Sequence, residues 1–291
     1  MTDHPGPVIA ARDGLHVVEC QRCGYAHLRH MPHPAALERF YASDFWQKEK
    51  AGWRERYEAQ AEWDNARWGD WLALLGEHGN GGRGLLDIGS GYGGFVRAAN
   101  DNEWNAVGWE PSVDAAHYAN VNRAPTQQQG WTPDTLPELA ADVISALWLI
   151  EHLPNPLEFL EWCRDTLAAG GLLLVAVPNE FNLWQLHANR KAAVKDYWVH
   201  HTHLNYFTQA TLANLLGRAG FAVIDRLATY PMERFILGGQ DYTRADGTGD
   251  ACHATVRAND RARSRQSRIT YYRNMARVGL GRDQVVIARS E

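Results

Sequence analysis

The sequence predicts an α/β fold built on a mostly parallel sheet, and three observations predict it. Short apolar runs alternate with amphipathic stretches from Gly84 to Val177, as strand–helix–strand units with right-handed crossovers require. Inside that region, Leu85-Leu86-Asp87-Ile88-Gly89-Ser90-Gly91-Tyr92-Gly93-Gly94 reads as a strand, a tight turn and a helix start. Polar or large side chains then gather where the apolar runs stop. Asp87, Glu110, Trp148, Glu151, His152 and Asn179 all fall at predicted carboxyl ends of strands, where parallel sheets hold their ligands.

Composition narrows the class. The chain has 291 residues, 45% hydrophobic and 22% charged, which suits one globular unit with additions. A formal net charge of −5 makes non-specific attraction to nucleic acid no default expectation. The start lacks a basic stretch followed by an apolar one, and no apolar run reaches bilayer length, so the expectation is a cytoplasmic protein without membrane association. Four cysteines are too few and too scattered for a disulfide framework.

Taken in order, residues 1–33 are expected to form a small hairpin element around Cys20-Gln21-Arg22-Cys23-Gly24, with strands on either side between Val17 and Leu28. A C-x-x-C-G knuckle is half of a zinc ribbon, and tetrahedral zinc needs four ligands. His30 and His33 are the candidates to complete the set, but Pro32 and Pro34 crowd them. The expectation is therefore a hairpin without zinc at Cys20 and Cys23.

Residues 34–79 predict a short helix from Ala35 to Tyr41 and a long one from Trp53 to His78, ended by Gly79-Asn80-Gly81-Gly82. Residues 80–229 hold the core. Helix follows the glycine turn to Asn102, strand runs from Asn105 to Trp109, and a helix from Ser112 to Asn122 has Ser112 as its N-cap. The third strand, near Thr126 to Gln129, is weakly marked. Asp142 to Trp148 reads as a strand buried on both faces, followed by a helix from Leu157 to Leu167 and a strand from Leu172 to Val177. A capped helix from Gln209 to Ala219 and a strand from Ala222 to Leu227 follow. Residues 230–280 form an insertion that the alternating pattern does not require, and residues 281–291 carry a final strand.

The glycine turn fits two patterns. Gly89, Gly91 and Gly94 match G-x-G-x-x-G, the dinucleotide fingerprint, which is weak alone. Asp87, Gly89, Gly91 and Gly93 match D-x-G-x-G-x-G. That stretch, with Glu151-His152-Leu153-Pro154-Asn155-Pro156 and His203-Leu204-Asn205-Tyr206-Phe207-Thr208, resembles the class I S-adenosylmethionine-dependent methyltransferases. The resemblance covers roughly residues 84–225. It implies a Rossmann-like seven-stranded sheet whose last strand is antiparallel, with helices of residues 34–79 lying over the cofactor site. It also implies S-adenosyl-L-methionine as cofactor, held by Asp87, Gly89, Ser90, Gly91, Gly93, Glu110 and Pro111. Trp131 and Trp148 are added where the family usually offers other side chains. An acid at the first strand's end suits a cationic cofactor better than a pyrophosphate. Glu110, 23 positions after Asp87, suits ribose hydroxyls in either cofactor class.

Methyl transfer to a hydroxyl or ammonium also removes a proton. Glu151, His152 and, from the cluster His200, His201 and His203, His203 are the candidates for catalytic work. Glu151 and His152 resemble an acid–histidine pair that binds a divalent metal in some members of the family, with a later histidine corresponding to His203. Those sites use another carboxylate three positions before Glu151, where this chain has Trp148, so a metal is the less favoured reading. The insertion carries Arg257, Arg261, Arg265 and Arg268 at spacings of four, four and three, one stripe if the helix is continuous. Such a stripe suits an anionic acceptor, RNA, or pairing with the chain's own acids, the last being the plainest reading. The expected function is transfer of a methyl group to oxygen or nitrogen of a small molecule. The alternatives are an NAD-dependent oxidoreductase, a non-catalytic S-adenosylmethionine-binding protein and an RNA methyltransferase.

Overall fold

A computed structural model describes residues 4–50, 52–135, 137 and 141–291. The chain begins with three antiparallel strands, β1 (Val8–Arg12), β2 (Leu15–Cys20) and β3 (Tyr25–Leu28). Helix α1 (Pro34–Arg39) passes directly into a π-helical segment, Phe40–Glu49, and then comes α2 (Trp53–His78). The alternating core follows as β4 (Gly84–Ile88), α3 (Gly94–Asp101), β5 (Asn105–Glu110), α4 (Val113–Val121), β6 (Thr126–Gln128), β7 (Ala141–Leu147), α5 (Pro156–Thr166) and β8 (Leu167–Pro178). Beyond it lie α6 (Leu183–Lys191), β9 (Asn205–Tyr206), α7 (Gln209–Arg218), β10 (Phe221–Ala228), α8 (Glu233–Leu237), α9 (Thr248–Arg261), α10 (Arg265–Arg277) and β11 (Asp283–Ser290).

Among the described residues, seven strands form the main sheet in the order β10-β11-β8-β7-β4-β5-β6. Strands β4 to β8 are parallel, and β11 runs antiparallel between β8 and β10. The chain winds outward from β4 through β5 to β6, then returns to β7 on the other side of β4. That reversal opens a crevice at the carboxyl ends of β4 and β7. Residues that point to alternate faces of the central strands are buried, because helices cover both faces. One face packs Leu85, Val143, Leu174, Val285 and Ile287 beneath α2, α3, α9 and α10. The other packs Ile144, Leu173, Val175 and Val286 against Phe159, Leu160, Leu212 and Leu216 of α5 and α7.

The N-terminal hairpin gains two strands that sequence periodicity does not mark. β1 pairs with β2, and β3 pairs with β9, with Ala26 opposite Tyr206 and His27 opposite Asn205. His30 and His33 are not the residues that meet the two thiols. His33 caps α1, its Nδ1 accepting from the Ala35 amide at 3.3 Å. His4 and His27 sit beside Cys20 and Cys23 instead, a cluster described further below.

The arginine stripe does not form. Helix α9 ends at Arg261, and Ser264 starts a separate helix by accepting from the Ser267 amide. Three of the four guanidinium groups pair inside the chain: Arg268 grips both oxygens of Asp70 at 2.8 Å, Arg265 reaches Asp70 at 3.4 Å, and Arg261 reaches Glu62 at 2.8 Å. The plainest reading of that charge run is the structural one. No helix among the described residues is long and apolar enough to cross a membrane.

Candidate active site

The crevice opens into a cavity of about 1160 Å³, above the range of ~300–1,000 Å³ usual for one ligand. Every residue expected from the sequence to hold cofactor or do chemistry lines it, except Gly93. Gly93 sits one turn behind, where φ is +74° and a Cβ would lie 2.4 Å from that of Ala124. Glycine is therefore required at 93 on both conformational and steric grounds. Gly91, at φ +54°, faces the cavity, and a Cβ there would press on the Trp46 ring at 3.0 Å.

Asp87 stands near the end of β4 opposite Ser145 of β7, whose hydroxyl donates to Oδ1 at 2.7 Å. Burial pushes the Asp87 carboxyl up to about 7, the Ser145 bond opposes this, and the nearby Glu110 charge adds to it. Such a group favours a cationic neighbour. Glu110, at the end of β5, accepts from the Gly91 amide at 2.9 Å and the Ser112 amide at 3.0 Å. Those bonds tie the glycine turn to the start of α4. Burial still raises the Glu110 carboxyl above its ordinary range.

Ser90 and Trp131 line the same space, and neither Ser90 Oγ nor Trp131 Nε1 has a hydrogen-bond partner among the described residues. The Trp131 ring packs edge-on against Phe159 at 5.1 Å, and Pro111 continues that wall. Trp148 lies on the opposite, α2 side. Its backbone is left-handed at φ +53°, uncommon for a bulky residue and concentrated at functional sites. Its ring faces Trp71, and the Arg67 guanidinium lies 5.1 Å away.

Glu151 and His152 lie on a single 3₁₀ turn, Ile150–His152, that follows β7. The His203 loop is fastened to it. The Leu204 amide donates to Glu151 O at 2.7 Å, and the Asn205 side chain donates to the carbonyls of Ile150 and Leu153. His152 Nδ1 lies 2.7 Å from the Thr202 carbonyl, which can only accept, so this nitrogen carries the proton. The Nε2 lone pair is left toward Glu151 at 3.9 Å, beyond hydrogen-bond range. Burial lowers His152 to about 4 and holds His203 well below the usual imidazole range. It also raises Glu151 well above the carboxylate range, and neither oxygen of its carboxyl group has a partner among the described residues. Burial disfavours the charged form of all three groups. Their ligating atoms all lie within 4.8 Å of one another, so they can hold a metal ion.

The other two histidines of the cluster do different work. His200 and His201 reach the two oxygens of Glu49 at 3.3 and 3.4 Å and strap down the π-helical segment. That segment supplies what sequence reasoning missed. Tyr41 Oη lies 3.1 Å from His152 Nδ1, and Trp46 Nε1 donates to Glu110 at 3.2 Å. The only signal was the aromatic density of Phe40-Tyr41 and Phe45-Trp46, because their spacing suits neither a strand nor an ordinary amphipathic helix. Arg282, just before β11, also lines the cavity, with Glu180 at 3.8 Å and Glu233 at 3.6 Å.

A family model described as a methyltransferase domain matches residues 57–226, more than half of the chain. The chain belongs to the class I S-adenosylmethionine-dependent methyltransferases. S-adenosylmethionine is the cofactor of that family. A Mycolicibacterium smegmatis protein, named "Probable S-adenosylmethionine-dependent methyltransferase", is 28% identical over 153 residues, 51% of this chain and 56% of its own. A ubiquinone biosynthesis O-methyltransferase from Caulobacter sp. is 33% identical over 125 residues, 37% of this chain and 48% of its own. The chain spans about half the length of the curated relatives it matches. The fold is that of solved family members. A Burkholderia thailandensis 1,6-didemethyltoxoflavin-N1-methyltransferase, solved with 1,6-didemethyltoxoflavin and S-adenosylhomocysteine, superposes with a TM-score of 0.54 at 14% identity. The match covers 97% of this chain and 98% of that one.

Proposed function

We propose that the chain transfers a methyl group from S-adenosylmethionine to oxygen or nitrogen of a small molecule. The observation that carries this is one cavity with Asp87 and Glu110 at one wall and His152 and His203 at another. The residues fit the cofactor on chemical grounds: a buried carboxyl that favours a cation, a second carboxylate, and a turn that closes if Gly91 gains a Cβ. In this reading Asp87 faces the amino-acid end, Glu110 accepts from the ribose hydroxyls, and Ser90, Pro111 and Trp131 border the adenine side. When bound, the cofactor supplies an electrophilic methyl on a sulfonium; the chain aligns the acceptor and excludes water.

His152 takes or shares the acceptor's proton at Nε2, while Thr202 fixes its tautomer. Burial weakens His152 as a base, so it suits an acceptor whose proton is already acidic, such as a phenol or an enol. The aromatic walls, Trp63, Trp71, Trp148 and Tyr272 among them, agree with a flat acceptor. Support for an anionic acceptor from the arginine run is small: Arg261 and Arg268 line the cavity but pair with Glu62 and Asp70, and Arg282 lines it beside Glu180 and Glu233.

A second reading is favoured by the partnerless oxygens of Glu151. A divalent cation held by Glu151, His152 and His203 would acidify a hydroxyl acceptor bound beside it. Calorimetry with S-adenosylhomocysteine and with NAD tests the cofactor assignment. Binding of the first and not the second is expected, and the reverse would end it. Methyl transfer to a panel of phenols and amines, with and without added magnesium, separates the two readings of the base.

A further inference from the structure

We propose that His4, Cys20, Cys23 and His27 bind a structural zinc ion that locks the N-terminal sheet onto the loop carrying His203. The four side chains come from three places: the segment before β1, the knuckle between β2 and β3, and β3 itself. His4 Nδ1 lies 3.4 Å from Cys20 Sγ, 3.3 Å from Cys23 Sγ and 3.2 Å from His27 Nε2, and all four ligand atoms fall within 4.8 Å of one another. A tetrahedron with bonds of ~2.05 Å to nitrogen and ~2.3 Å to sulfur has edges ~1.6 times the bond, roughly 3.3–3.8 Å. The three separations from His4 lie within about 0.1 Å of that range.

The surroundings are those of ligands rather than of a chance cluster. His27 Nδ1 lies 2.7 Å from the Leu28 carbonyl, so the proton sits there and Nε2 turns its lone pair toward the thiols. The Cys23 amide donates to Cys20 Sγ at 3.3 Å, as the knuckle does around a metal-bound thiolate. Arg218 of α7 fixes the other side of the knuckle through the Cys23 carbonyl at 2.6 Å. Neither cysteine is in a disulfide. A set of two thiols and two imidazoles favours zinc among common divalent ions. Four protein ligands leave no open position, which makes the site structural.

Its leverage follows from strand pairing. The ligand His27 stands opposite Asn205 in the β3–β9 register, and the Leu28 amide donates to the Leu204 carbonyl at 2.8 Å. Asn205 in turn holds the carbonyls of Ile150 and Leu153 on either side of Glu151 and His152. A metal on His27 thus braces, through Asn205, the turn that presents the candidate base.

The test is metal analysis of the full chain purified without chelator from zinc-supplemented cells. About one zinc per chain is expected, retained in His30→Ala and lost in Cys20→Ser and His27→Ala. His4→Ala, outside any strand, is the variant that leaves the hairpin intact; it should lose the ion, and His4→Cys should recover it. Cobalt substitution of the wild-type chain should give tetrahedral d–d bands and a thiolate-to-metal charge-transfer band. Zinc removal should lower the melting temperature and speed amide exchange at Leu204 and residues 150–153. S-adenosylhomocysteine binding should persist, because Asp87 and Glu110 lie on other elements. A chain holding under a tenth of an equivalent of zinc with no cobalt spectrum, or one whose zinc survives Cys20→Ser and His4→Ala, overturns the proposal.

Discussion

The indole N–H of Trp46 donates to Glu110 Oε1 at 3.2 Å, and the same ring lies against Gly91. A residue of the π-helical segment thereby occupies the carboxylate oxygen that the proposed ribose contact needs. In that reading the indole gives way when the ribose binds. Addition of S-adenosylhomocysteine should therefore change tryptophan emission, and Trp46→Phe should remove most of that change. Trp46→Phe should also bind S-adenosylhomocysteine more tightly, by up to about tenfold if a hydrogen bond to a charged group worth ~1.5 kcal/mol no longer competes. Weaker binding by the variant would mean that the ring supports the nucleoside instead of standing in its way.

The elevated Asp87 carboxyl gives cofactor binding a pH signature. Its folded value is raised from 3.8 to about 7, so between those values the folded chain keeps a proton that the unfolded chain has lost. On this account its contribution to stability declines as pH rises from about 4 to 7 and is flat above. An ammonium partner needs the ionised form. Affinity for S-adenosylhomocysteine should be level above pH ~7 and fall up to tenfold per unit below it. Asp87→Asn should bind weakly at every pH and lose the slope, as calorimetry across pH 5.5–8.5 would reveal.

Removal of the candidate base should separate binding from turnover. His152→Ala should leave S-adenosylhomocysteine affinity within about threefold while methyl transfer falls by ~10²–10⁴. His203→Ala should do the same if the metal reading holds, and added magnesium should then raise wild-type but not variant turnover. Undiminished transfer by His152→Ala would remove that residue from the chemistry.

Arg268 and Asp70 form a two-point ion pair that joins α10 to α2, both side chains being mostly buried. Arg268→Ala strands a carboxylate that keeps only the longer 3.4 Å contact to Arg265. A loss of about 3 kcal/mol in unfolding free energy is expected, read by urea denaturation. A double change to a well-packed apolar pair should cost much less.

How far the sequence spoke depended on the kind of signal. Strands β4, β5, β7 and β8 announce themselves because both of their faces are buried and their residues are almost all apolar. Helix α2 falls on the expected residues, Trp53–His78, and Ser112 caps α4 as its hydroxyl predicts. Asp87, Glu110, Glu151, His152 and His203 meet at one cavity because parallel topology puts strand ends together. What stayed hidden needed tertiary information. β1 and β9 are short, and partners distant in sequence define them. The π-helical segment has no periodicity of its own. His4 is an isolated residue in an irregular stretch, and nothing local says that it folds back on a knuckle 16 positions later. The arginine stripe failed because a three-residue break, which spacing cannot register, turns one helix into two.

The placement of β11 has a consequence for how the molecule is made. Among the described residues β10 touches the sheet only through β11, so neither β10 nor the neighbouring edge of β8 has that strand partner until β11 is made. A growing polypeptide therefore leaves the ribosome with β10 unpaired until residues 283–290 emerge, exposing Leu227 and the edge of β8 to any passing strand. Expression in cells should reward chaperone supply, and a stop codon anywhere ahead of Asp283 should yield inclusion bodies rather than a shortened enzyme.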